Sequence, residues 1–197
     1  MSFVTGTQAE LLYSMPASGS AVSGTVTTGT AALIGGGSGA NLPAYQLPAY
    51  FFGDTYGVAK SMLIQGGGTF VTEGTTQTGK LALYLDTTIG TPGTLLMSTG
   101  AFDPTASVAQ GTFMFEALIT CTAVGTAGTL NACGRLYWGN SASNTGTVAG
   151  AIYLMGTAGT VAFSNATAYY LEPFFSWGAT STGQTITLTN YLIWGLN

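Results

Sequence analysis

Histidine is absent from the sequence, and lysine and arginine together number only three: Lys60, Lys80 and Arg135. Without histidine, Ser and Cys nucleophiles lack their usual base. With two cysteines and no histidine, the donor sets of zinc sites are also missing. Three cations cannot make the basic footprint that neutralises phosphates, which argues against nucleic-acid binding. The acids number seven: Glu10, Asp54, Glu73, Asp86, Asp103, Glu116 and Glu172. They are scattered, and no Asp-rich loop gathers the oxygens that calcium needs. No apolar run is long enough to span a membrane. The segment Met1 to Thr7 has neither the basic region nor the apolar core of a secretory signal, so synthesis in a cytoplasm is expected.

Charge of either sign is scarce. Charged residues make up 5% of the chain and hydrophobic ones 46%, whereas about a quarter of an ordinary globular composition is charged. A lone molecule with so few charges has little colloidal protection. Much of its surface is therefore expected to be covered by copies of itself or by a partner. The alternative is a surface solvated by Thr, Ser, Asn and Gln.

What is present is β pattern. In Gly111 to Gly139 two long strands are joined at Val124-Gly-Thr-Ala-Gly-Thr129. On the first, Phe113, Phe115, Ala117, Ile119, Cys121 and Ala123 share a face, opposite Met114, Glu116, Leu118, Thr120 and Thr122. On the return, Leu130, Ala132, Gly134, Leu136 and Trp138 oppose Asn131, Cys133, Arg135 and Tyr137. A period of two sustained this long cannot bury one face of a helix, and Gly at both ends of a short loop signals a hairpin. Pairing Val124 with Thr129 sets Cys121 opposite Ala132 and turns Cys133 to the other face, leaving two free thiols. A slip of one residue would bring the thiols together.

Six further alternating segments surround this hairpin: 58–65 (continuing through 69–73), 80–86, 94–98, 149–155, 167–177 and 184–194. In 80–86, Leu81, Leu83 and Leu85 point in, and Lys80, Tyr84 and Asp86 point out. Pro173 argues for an edge or a bulge. The chain's last residues are apolar on both faces, as in a buried strand. The expected fold is all-β: a jelly-roll-like antiparallel β-sandwich of about eight strands spanning residues 51–197, with an N-terminal arm over residues 1–50. In the arm, Thr7-Gln-Ala-Glu10 reads as a capping box opening a two-turn helix through Leu11, Leu12, Tyr13 and Met15, stopped by Pro16. Two turns are not stable alone, so these four residues are the candidate partner-binding surface. The alternative is that residues 1–50 pack back as edge strands.

No catalytic site emerges, and no metal or cofactor site. Glu116 and Glu172 are the only acids inside long strands and form the best acid pair for glycoside hydrolysis, but nothing else converges on them. Gly35-Gly-Gly-Ser-Gly-Ala40 loosely resembles a dinucleotide loop, yet Pro43 denies it a following helix. Tyr137, Trp138, Tyr169, Tyr170, Trp177, Tyr191 and Trp194 fit either a core or a sugar-stacking platform. Their alternation along strands favours the core.

The features Phe113-Met-Phe-Glu-Ala-Leu-Ile-Thr120, Gly134-Arg-Leu-Tyr-Trp138, Phe175-Ser-Trp-Gly-Ala-Thr-Ser-Thr-Gly183 and Gln184-Thr-Ile-Thr-Leu-Thr189 resemble those of tailed-bacteriophage virion structural proteins with a jelly-roll domain. That resemblance implies a non-enzymatic, many-copy virion component made in the host cytoplasm. Its foremost form is a capsid decoration or minor capsid protein that binds the major capsid protein and copies of itself, as a homotrimer. The alternative is a tail-associated receptor- or carbohydrate-binding module, with a glycan as its ligand.

Overall fold

The computed structural model describes residues 9–14, 22–24, 32–33, 45–53, 61–73, 78–104, 106–139, 150–157, 159–178 and 183–196. Among these residues there are thirteen strands and no helix. The first four are short: β1 (Ala9–Ser14), β2 (Val22–Gly24), β3 (Ala32–Leu33) and β4 (Tyr45–Leu47). Then come β5 (Ser61–Val71), β6 (Gly79–Asp86), β7 (Thr94–Ser98), β8 (Gly111–Ala123), β9 (Gly128–Gly139) and β10 (Gly150–Gly156). The last are β11 (Val161–Phe163), β12 (Tyr169–Trp177) and β13 (Thr185–Leu196). Eight of them, β5 to β10 with β12 and β13, coincide with the alternating segments of the sequence.

Every ladder is antiparallel. The hydrogen-bonded order is β1-β13-β5-β8-β9-β10-β7-β6-β12-β3, with β11 beside β9, β2 beside β13 and β4 beside β12. The path turns where β10 meets β7 through a single pair, Gly156 with Ser98. On one side of that turn lies a first sheet, β1-β13-β5-β8-β9-β10. On the other lies a second, β7-β6-β12-β3. Side chains join the two layers: Trp138 of β9 stacks on Phe175 of β12 at 5.8 Å, and the Tyr191 hydroxyl of β13 donates to the Leu171 carbonyl of β12 at 3.3 Å. The product is a β-sandwich.

The core follows the alternation. Phe113, Phe115, Ala117, Ile119 and Cys121 of β8 are buried, as are Met62, Ile64 and Phe70 of β5 and Leu130, Leu136 and Trp138 of β9. In β13 the buried positions are Ile186 and Leu188, then Tyr191 and Ile193. The step from even to odd numbers comes from a bulge between Leu188 and Asn190. An extra residue at Thr189 moves the inward set by one, so Tyr191 and Ile193 face the core while Leu192 and Trp194 lie on the outer face.

Four expectations are corrected. The capping-box helix does not form over the described part of its span. Ala9–Ser14 is a strand paired with β13 from Ala9 opposite Leu196 to Ser14 opposite Leu192, and Thr7 and Met15 lie outside the described residues. A two-turn helix is marginal, whereas the edge of β13 offers a full ladder of backbone partners. The hairpin register is offset by two residues from that expected: Cys121 opposes Leu130, not Ala132, and Ala123 opposes Thr129 across a bulge. An offset of two preserves the faces, so Cys121 is buried and Cys133 exposed, both as free thiols. Asp86 is buried, not solvent-facing, because residues 87–93 fold back over it. Its Oδ1 accepts the Thr88 amide at 3.1 Å. Pro173 lies in a strand paired on both sides, opposite Leu83 of β6. On the other side β4 covers Tyr169–Leu171 and β3 covers Phe174–Phe175, so Pro173 falls where that second ladder is interrupted.

Candidate functional site

The outer face of the first sheet is read directly from its registers. One row across the strands runs Leu11, Trp194, Leu63, Leu118, Cys133. The next runs Leu192, Gln65, Glu116, Arg135, Leu154. A third runs Asn190, Gly67, Met114, Tyr137, Ile152, and a fourth Thr187, Thr69, Thr112, Gly139, Gly150.

The third and fourth rows enclose an open groove of about 690 Å³. Gly67, Gly139 and Gly150 have no side chains, so the sheet is low there and forms the floor. Tyr137, Met114 and Ile152 rise on one side, and Thr189 and Asn190 on the other. The Thr189 hydroxyl donates to the Gly67 carbonyl at 3.2 Å, tying the bulge of β13 to the floor. The Arg135 guanidinium lies 5.2 Å from the centre of the Tyr137 ring and holds it in place through a cation–π contact. None of the lining residues is charged. The groove can therefore offer hydroxyls, a carboxamide and one aromatic face, which suits a neutral polar ligand and gives nothing to pair with a phosphate or a carboxylate.

Several sequence candidates are dispersed by the fold. Glu116 lies on the outer face of the first sheet, paired with Arg135. Glu172 lies in the second sheet and is wholly buried. The two acids form no catalytic pair. Both Glu172 oxygens accept the Gly90 amide, at 2.9 and 3.2 Å. Burial pushes this carboxyl above its ordinary value, the Gly90 hydrogen bond works against that rise, and the Asp86 charge adds to it. No group of three or more Cys, Asp or Glu residues that could hold a metal occurs among the described residues.

The aromatic platform is likewise split. Trp138, Trp177 and Tyr191 are core residues, and Tyr169 and Tyr170 belong to β12 in the other sheet. Of the seven candidates, Tyr137 and Trp194 alone reach the outer face of the first sheet. Of the candidate partner-binding residues, Leu12 and Tyr13 pack against the core, Leu11 is exposed on the outer face, and Met15 lies outside the described residues. Gly35 to Ala40 also lie outside them.

Asn190 and Gly150, which help shape the groove, carry no local signal in the sequence. The Gly66-Gly67-Gly68 run is the one visible hint of it.

No protein-family model matches the chain, and no curated protein does. Among solved structures, the chain is similar to the CBM2 module of the evolved Dit of Lactobacillus casei BL23 phage J-1. The similarity is at 11% identity and a TM-score of 0.40, covering 97% of each chain. A likeness that loose carries nothing about ligand or partner.

Proposed function

We propose that the chain is a non-enzymatic virion module that binds a neutral carbohydrate in the glycine-floored groove, the tail-associated form of the role that the sequence resemblance implies. The observation that carries this reading is the groove itself: about 690 Å³ of uncharged, mainly apolar space, with the Tyr137 ring at its wall and the Thr69, Thr112 and Thr189 hydroxyls and the Asn190 carboxamide in its lining. That volume falls within the range of about 300–1,000 Å³ typical of ligand sites. An aromatic face that packs against sugar C–H groups, beside hydroxyls and a carboxamide that exchange hydrogen bonds, is the chemistry a neutral sugar requires.

A glycan array on the folded protein tests it. Wild type should give a defined set of hits, and Tyr137→Ala should lose them. Gly150→Leu provides an independent check. A Cβ at Gly150 meets nothing nearer than the Trp138 carbonyl oxygen at 3.6 Å, so the new side chain fills the groove without straining the sheet. Absence of any hit from a folded wild type would end this reading.

A capsid-decoration role is the second reading. The scarcity of charge on the outer face, where Glu116 and Arg135 offset one another, favours it, because such a surface suits close packing in a shell. Particle binding by the full chain tests it, since residues 9–14 are a strand of the sandwich and not a separable tether. A folded chain that leaves particles unoccupied would end this reading.

A further inference from the structure

We infer that the leucine-bearing patch of the outer face, the first two rows across its strands, is an interface between two copies of this chain, related by a two-fold axis. Among the described residues, five of the eight exposed large hydrophobic ones stand on this one face, Leu11, Leu118 and Leu154 in the patch and Met114 and Ile152 on the groove wall beside it. Leu154 is 79% exposed. Leu63, Leu118 and Leu154 surround a shallow dent of about 280 Å³ over Gly134, deep enough to seat an apolar side chain from a facing surface. A polar row borders the patch on one side, where the Ser61 hydroxyl donates to that of Thr120 at 3.1 Å. Asn190 and the groove border it on the other. An apolar centre with a polar rim is how association surfaces are built.

Charge identifies the occupant. Among its described residues the patch has one cation and one anion, Arg135 and Glu116, opposite each other in register and paired. An acidic partner would meet Glu116 as a like charge, and a basic partner would meet Arg135. A second copy turned about a two-fold axis sets Arg135 beside the partner's Glu116 and the reverse, so each contact occurs twice and both charges stay compensated. A three-fold ring, the form expected from the resemblance, needs a second and different face complementary to this one. A two-fold contact needs only this one face.

Sedimentation of the full chain at micromolar concentration should give twice the monomer mass. Leu118→Lys and Leu154→Lys, both at exposed positions, should weaken association at least about tenfold with an unchanged circular dichroism spectrum. Arg135→Glu and Glu116→Arg should each do the same, and the combined swap should restore the dimer. Cys133 lies in the patch and Cys121 is buried, so alkylation of the native protein should slow as concentration rises. A monomeric wild type, a trimer, or an oligomer indifferent to both lysine substitutions would each overturn the inference. So would a thiol whose reactivity ignores concentration.

Discussion

The ring of Trp138 lies on that of Phe70, with centroids 3.8 Å apart and planes 21° from parallel. Trp138 also stacks on Phe175 and meets Trp177 edge-on at 6.3 Å, so one β9 side chain joins the two sheets. Trp138→Ala should therefore cost about 3–5 kcal/mol, a large share of the about 5–15 kcal/mol that holds a domain together. At about 2–4 °C per kcal/mol for a chain of this size, Tm should fall by about 10 °C. Trp138→Phe should cost less, because the buried indole N–H has no acceptor among the described residues and its removal leaves none of them unpaired. Thermal melts followed by circular dichroism decide this, and a Tm within about 3 °C of wild type for the alanine variant would show that the cluster is not central.

Much of the sandwich is legible wherever alternation is uninterrupted. In β8 and β9 the face assignments from Phe113 to Cys121 and from Leu130 to Trp138 follow the burial pattern, with Ala132 and Gly134 only half-buried, although the register is two residues off. Burial depends on parity, which an offset of two preserves. Legibility fails where a non-local contact overrides a local signal. The capping box at Thr7–Glu10 is a short-range pattern, and the β13 edge that draws Ala9–Ser14 into a strand lies at the far end of the chain. The burial of Asp86 and Glu172 depends on residues 87–93 folding back, which nothing in the β6 pattern reveals. The groove takes its walls and floor from five strands, and beyond the Gly66–Gly68 run and Tyr137 its lining carries no local mark: Gly150 and Asn190 do not stand out among their sequence neighbours.

Glu172 makes stability depend on pH in an unusual direction. Its folded-state pKa is raised by burial, so the folded protein binds this proton more tightly than the unfolded chain does. The contribution is fully present below the ordinary glutamate value and is lost as pH rises through the raised one. Wild-type Tm should therefore decline from about pH 4 toward neutrality more steeply than that of Glu172→Gln. Each tenfold difference in proton affinity between the folded and unfolded states is worth about 1.4 kcal/mol. Glutamine keeps an acceptor for the Gly90 amide, so it separates ionisation from loss of the hydrogen bond. Parallel Tm–pH curves for the two proteins would contradict the assignment.

Two glycines of the first sheet should respond oppositely to a methyl group. A Cβ on Gly68 would collide with the backbone carbonyl of Thr187, because the bulge at Thr189 brings β13 close to β5 there. Backbone in a paired strand cannot move aside as a side-chain tip can, so Gly68→Ala should cost about 1–3 kcal/mol. Gly150→Ala meets only ordinary van der Waals contact and should leave stability within about 0.5 kcal/mol. Urea titrations of the two variants compare them directly. Equal midpoints would mean that β5 and β13 are further apart than the register implies.

Removing residues 1–14 tests whether β1 belongs to the sandwich. Tyr13 packs edge-on against Tyr191 at 6.1 Å, and Leu12 packs against the core. Burial raises the Tyr13 hydroxyl pKa, as expected of a ring docked on its own domain. Half-burying two large side chains of this kind contributes about 1.5–3 kcal/mol before the cost of ordering the strand. The truncated chain should also expose the β13 edge from Leu192 to Leu196, where Leu192, Trp194 and Leu196 present apolar side chains beside unpaired backbone groups. Such an edge templates aggregation. The expected result is a lower Tm with concentration-dependent light scattering on heating. A free arm predicts the opposite, an unchanged Tm and a chain no stickier than before, because nothing in the sandwich would depend on it.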